Sequence, residues 1–211
     1  MGNLVGRTGV EEPTFTLLLD RAQAPLPYQL RKYGQRMAVE TAYSTEGSAF
    51  MALASYIGVV GSKPANQQQK SMAMTAPVIM EPQDDHQRQQ AVMQFVLPAD
   101  YDSTDKVPLP IDPRVHVKTL PPETGVAYRY NGSFSPQRAK RKVLELTQQL
   151  HKDGLDLAEN DVLTSYQFWG FTPPFTLPWW RRNEVWIPLS KQQVQTLLQV
   201  AGSCETAEEH N

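Results

Sequence analysis

The sequence predicts an α+β fold in which a strand–strand–helix–strand–strand unit occurs twice, with the helices covering the outside of antiparallel sheets. Three observations carry this. Short runs of alternating or β-branched residues recur in the same order in two stretches, residues 27–98 and 113–189. A run of helical period sits third in each stretch. The 17 prolines, against only 12 glycines, fall mostly between these runs, where a residue without an N–H spares the strand ladders.

In the first unit, Tyr28-Gln-Leu-Arg-Lys-Tyr33 alternates Tyr28 and Leu30 with Gln29, Arg31 and Tyr33, and so reads as a strand. After Gly34, Met37 to Tyr43 favours extended structure through Val39 and Thr41. Ser48 is placed to cap a short helix in which Phe50, Leu53, Ala54 and Ile57 share a face, and Gly58 is placed to end it. Ser71 to Met80 and Met93 to Leu97 complete the unit as strands.

The second unit opens with strands over Val115–Leu120 and Gly125–Tyr130, separated by Pro121-Pro122. Ser135-Pro136 is a helix start, Ser as cap and Pro in the first turn. Ala139, Val143, Leu146 and Leu150 form its apolar stripe, and Gly154 stops it. Val162–Phe171 and Asn183–Leu189 read as the last strands, and Lys191–Val200 as a final helix. The expected organisation is an arm over residues 1–12, one domain over 13–200 and an acidic disordered tail over 201–211.

Composition narrows the function classes. The chain has 211 residues, with 20 Lys+Arg against 22 Asp+Glu and a net charge of −2. That balance speaks against a nucleic-acid partner held by bulk positive charge. A single cysteine, Cys204, allows no intramolecular disulfide and no cysteine-based zinc site. The four histidines, His86, His116, His151 and His210, are scattered, and no HExxH, P-loop or GxSxG motif is present. The expectation is a protein that is not an enzyme, monomeric and cytoplasmic, with no transmembrane segment. Met1-Gly2-Asn3 fits N-myristoylation only weakly, because position 6 is Gly rather than Ser or Thr. Met72 and Met74 read as core packing rather than as iron ligands.

One segment departs from loop chemistry. Phe171-Thr-Pro-Pro-Phe-Thr-Leu-Pro-Trp-Trp180 places four aromatics and three prolines in a connection that would ordinarily be polar. It reads equally as a plug over the barrel end or as one wall of a pocket for a flat apolar ligand, with Arg181 and Arg182 able to meet carboxylates.

With Tyr28-Gln-Leu-Arg-Lys-Tyr33, Ser55-Tyr-Ile57, Lys70-Ser-Met-Ala-Met-Thr-Ala-Pro-Val78, Phe171-Thr-Pro-Pro and Arg182-Asn-Glu-Val-Trp186, the chain resembles the SOUL haem-binding protein family over residues 13–190. Its start and Phe175-Thr-Leu-Pro178 are most similar to the cytosolic members of plants and green algae. The resemblance implies a distorted antiparallel barrel of two four-stranded sheets flanked by two helices. It also implies non-enzymatic, reversible binding of haem or another tetrapyrrole by a carrier, buffer or sensor.

The family's known contacts do not transfer. A His proposed as axial ligand in some members is Lys32 here, so binding without a strong His ligand is expected. Basic positions on the first helix correspond to Gly47 and Ser55, and a basic loop position to Thr176 or Leu177. The residues instead suggest a cleft between the first helix and the last hairpin. Met51, Ser55, Val59, Phe175, Leu177, Trp179 and Trp180 would form its walls, with Lys63, Arg181 or Arg182 at the propionates. Two rival readings stand beside it. One is an enzyme acting on a tetrapyrrole or other apolar molecule, with Glu184 or Tyr166 as acid or base; the other is a protein-interaction module using the aromatic loop.

Overall fold

The computed structural model describes residues 9–43, 45–82, 90–172 and 177–208. Among the described residues, nine strands form one antiparallel sheet. They are β1 (Phe15–Asp20), β2 (Gln29–Tyr33), β3 (Arg36–Tyr43), β4 (Val78–Glu81), β5 (Ala91–Val96), β6 (His116–Leu120), β7 (Glu123–Tyr130), β8 (Gln167–Gly170) and β9 (Asn183–Pro188). Their order across the sheet is β1-β2-β7-β9-β8-β4-β5-β3-β6.

With β1 set aside, that order is two matching halves, β2-β7-β9-β8 and β6-β3-β5-β4, joined where β8 pairs with β4. The duplicated plan is therefore present, but each unit lends its first strand to the other: β2 pairs with β7 and β6 with β3. The two four-stranded sheets are halves of one continuous sheet. Only Gly34-Gln35 joins β2 to β3, and only Pro121-Pro122 joins β6 to β7, although the joined strands lie in different halves. Such short links require the sheet to curl into a half-barrel.

Helices cover the convex face. α1 (Glu46–Ile57) lays Leu53, Ala54 and Tyr56 on Met37, Val39 and Phe95. α2 (Pro136–Lys152), α3 (Glu159–Ser165) and α4 (Lys191–Glu208) cover the other half, with Val143, Leu146, Leu150, Val162 and Leu197 packed on Leu30, Val126, Val185 and Ile187. Each such buried side chain contributes roughly 1.5–3 kcal/mol. Ser135 caps α2 as read from sequence, its Oγ accepting from the Arg138 N–H at 3.1 Å. Gly58 ends α1 in the left-handed region at φ 82°, with no room for a Cβ beside Pro64.

Five local expectations change. The last helix, read from sequence as ending at Val200, runs to Glu208 as α4. α1 starts at Glu46, with Thr45 rather than Ser48 at its cap position. Val162–Ser165 is the end of α3, not strand: Glu159 and Asp161 suit a helix N-terminus, and Val162 completes the core under α2. Ser71–Ala76 runs alongside rather than inside the sheet, with the Met72 N–H donating to the Ile57 carbonyl, and β4 begins only after Pro77. β1, which the duplicated plan does not include, adds a ninth strand at one edge.

The concave face is also filled. Trp169 and Trp186 stack with ring centroids 5.0 Å apart, and Tyr33 meets both edge-on at 5.3 and 5.5 Å. Each indole N–H has an acceptor, Gln167 Oε1 at 2.8 Å and Glu123 Oε2 at 3.2 Å. Gly125 is required here, because a Cβ on it would lie 2.4 Å from the Ile187 carbonyl and 2.7 Å from the Trp186 ring.

Candidate functional site

Strand register sorts the termini of the elements into two rims. Tyr130, Asn183, Gly170 and Val78 are successive cross-strand partners at one rim. The connection from β8 to β9, which carries the aromatic segment, leaves from this rim. α1 begins at the far end of β3 and returns along the sheet, and its last carbonyl meets Met72 on the segment leading into Val78. The C-terminal end of α1 and the aromatic connection therefore share one rim.

The base of that connection is held firmly. The Phe171 N–H donates to the Arg182 carbonyl at 3.1 Å, closing the hairpin. Asn183 Nδ2 donates to the Gly132 carbonyl at 2.7 Å. Arg182 lies 3.7 Å over the Phe171 ring. It donates to both oxygens of Glu12 at 2.9 Å and, through Nε and Nη2, to Glu184 Oε1 at 3.2 and 3.0 Å. Glu184 is fully buried and also takes Arg31 Nη1 at 2.6 Å. The ladder Glu12–Arg182–Glu184–Arg31 thus ties the segment before β1 to β2 and β9 beneath the loop.

Above that base the side chains change character. Leu177, Trp179 and Trp180 are 46%, 62% and 72% exposed, on a single 3-10 turn at Pro178–Trp180 whose Trp180 N–H donates to the Leu177 carbonyl. Phe175 and Thr176 lie outside the described residues. On α1, Met51 is 52% exposed and Ser55, one turn on, is half-buried; Val59, just past the Gly58 stop, is 53% exposed. Lys63 is exposed and Arg181 half-buried. Arg182, also named from sequence, is committed to two carboxylates and a ring.

Two further residues considered from sequence are ill-placed for proton transfer at this rim. Glu184 is sealed between Arg31 and Arg182. Tyr166 lines the opposite rim, and burial pushes its phenol above the ordinary range. The residues that sequence reasoning missed are Arg31, Tyr33, Trp169 and Trp186. Alternation sets Arg31 and Tyr33 on the face opposite Tyr28 and Leu30 but does not show that this second face is covered. In a half-barrel both faces are interior, so Arg31 and Tyr33 are 5% and 2% exposed.

At the opposite rim Glu81 accepts from Gln167 Nε2 at 3.1 Å and Gln94 Nε2 at 3.5 Å. Burial, and then Glu40, push its carboxyl above the usual range, against the opposing effects of Gln167 and Lys118. The charged form is thus disfavoured in the folded state. The resulting penalty is absent below the unfolded carboxyl pKa of about 4.3 and grows as pH rises through the folded value. Glu81→Gln is accordingly expected to raise Tm at neutral pH and to leave it unchanged at about pH 3, read by thermal unfolding at both.

Among the described residues no helix is long and apolar enough to cross a membrane. Comparison with known proteins adds the following. The family model described as SOUL heme-binding protein matches residues 10–188. No curated protein matches the chain. Among solved structures, a hydrolase encoded by lin2189 from Listeria innocua aligns with TM-score 0.52 at 11% identity, over 79% of this chain and 93% of that one. The EcmrR chain of an EcmrR–DNA complex aligns with TM-score 0.51 at 15% identity, over 78% of this chain and 58% of that one. At such identities these two likenesses establish the shared fold alone.

Proposed function

The chain belongs to the SOUL haem-binding family, and from that premise we propose that it is a non-enzymatic carrier or buffer of haem and related tetrapyrroles. The ligand lies in a cleft between α1 and the β8–β9 connection. Met51, Ser55 and Val59 form one wall, and Leu177, Trp179 and Trp180 form the other. The observation that carries this reading is the pair of exposed indoles on a hairpin base fixed by buried ion pairs. A globular surface rarely leaves two adjacent tryptophans this open without a partner to cover them. Affinity comes mainly from covering the macrocycle. Lys63 and Arg181 contribute at the propionates, weakly, as rim charges do. Arg182 serves from below by fixing the hairpin.

No histidine is assigned to iron. His116 is exposed on β6, an edge strand of the sheet. Titration with haemin is expected to give a saturable Soret shift and tryptophan quenching, with protoporphyrin IX binding within about fivefold of haemin, or ~1 kcal/mol. An unchanged spectrum with unquenched fluorescence would reject the proposal.

A further inference from the structure

A cleft of about 580 Å³ opens at the rim opposite the aromatic loop. Its walls come from the ends of β3, β4 and β5 (Ala42, Glu81, Val92), from Pro82 and Gln90, and from the C-terminal end of α3 with Tyr166. The volume suits a small organic molecule. Ala42, Pro82, Val92 and the Tyr166 ring give it an apolar body.

The polar groups here are unbalanced. Among the described residues no Lys, Arg or His stands within ion-pair distance of Glu81; the nearby Lys118 pairs with Glu40 at 3.6 Å. Behind the cleft wall, Gln94 spends its amide N–H groups on Glu40 and Glu81, at 3.1 and 3.5 Å, and among the described residues its buried Oε1 has no partner. The Thr164 and Ser165 hydroxyls are turned back onto the Asp161 carbonyl at 3.0 and 2.7 Å. The cleft thus presents a half-buried carboxylate that is held by two amide N–H groups and has no counter-ion among the described residues, and such a group is costly to leave unpaired. A ligand that brings a positive charge supplies that counter-ion.

We propose that this cleft is a second small-molecule site, taking an amphiphilic primary or secondary ammonium ion with Glu81 as its counter-ion. It is separate from the tetrapyrrole cleft, with the length of β4 and β5 between them. The ammonium group pairs with Glu81, and its apolar body lies along Val92, Pro82 and Tyr166.

Calorimetric titration of the full chain with 4-phenylbutylammonium, and with 4-phenylbutan-1-ol as its neutral counterpart, tests this near neutral pH. Saturable binding of the amine is expected. Glu81→Gln should lower its affinity about tenfold or more while changing that of the alcohol by less than about threefold. Ala42→Phe, which fills the cleft without touching the acid, should abolish binding of both. Trp179→Ala with Trp180→Ala should leave amine binding unchanged. The proposal is overturned if the folded wild-type protein shows no saturable binding of the amine. Equal affinity for wild type and Glu81→Gln, unaltered binding to folded Ala42→Phe, or loss of binding in the tryptophan variant would each overturn it too.

Discussion

Replacing Trp179 and Trp180 together by alanine is expected to weaken haemin binding by about 100-fold, roughly 2.7 kcal/mol, while barely altering stability. Both rings are mostly exposed in the free protein, so removing them forfeits little folding free energy. On binding, each would lose apolar surface to the macrocycle at about 25 cal/mol per Å², and adjacent aromatic anchors commonly dominate such contacts. Thermal unfolding should move by no more than about 2 °C. Soret titration of wild type and double variant side by side checks the first figure, and calorimetry the second.

The reverse pattern is expected at the base of the same hairpin. Glu184→Ala leaves Arg31 and Arg182 without their shared carboxylate in a site where Glu184 itself is fully buried. Breaking a buried pair from one side typically costs about 3–5 kcal/mol. At roughly 2–4 °C per kcal/mol for a domain of this size, Tm should fall by about 10 °C. Haemin affinity should fall less than in the double tryptophan variant, because the indoles remain and only their support loosens. A Glu184 variant with unchanged Tm would show that the ladder contributes little to the fold.

The contrast between these two variants follows from how the motifs divide between the fold and the site. Tyr28 to Tyr33 and Arg182 to Trp186, which carry much of the family resemblance, meet inside the half-barrel through Arg31 with Glu184 and Tyr33 with Trp186. They build the platform. The exposed residues, Met51 on α1, Val59 just beyond it, and Leu177, Trp179 and Trp180, lie in or beside the segments where the family's basic contacts are missing.

The duplicated strand–strand–helix–strand–strand order was legible because strand and helix periods differ and prolines mark the joints. α2 was legible in full, from the Ser135 cap to Gly154, since its four stripe residues are all buried to within 1%. The exchange of β2 and β6 between halves was not legible. Alternation shows that a strand has two faces, not which strand it pairs with. For the same reason alternation did not show what covers the second face of β2, and the Arg31–Glu184 pair, 153 residues apart, left no local signal. The α3 segment misled because Val162 and Leu163 suit either structure, and tertiary packing on α2 decided it. The aromatic loop, by contrast, was conspicuous from composition alone, since its residues break the rule that connections are polar.

The central claim is that the tetrapyrrole meets the two rim indoles and not the two within the half-barrel. Four tryptophans give four indole N–H signals, assignable by single Trp→Phe variants. Titration of ¹⁵N-labelled protein with diamagnetic gallium protoporphyrin IX reads each signal separately. The account requires large shifts for Trp179 and Trp180, with Trp169 and Trp186 nearly unmoved because their N–H groups stay bonded to Gln167 and Glu123. Shifts confined to Trp169 and Trp186, with the rim indoles silent, would contradict it.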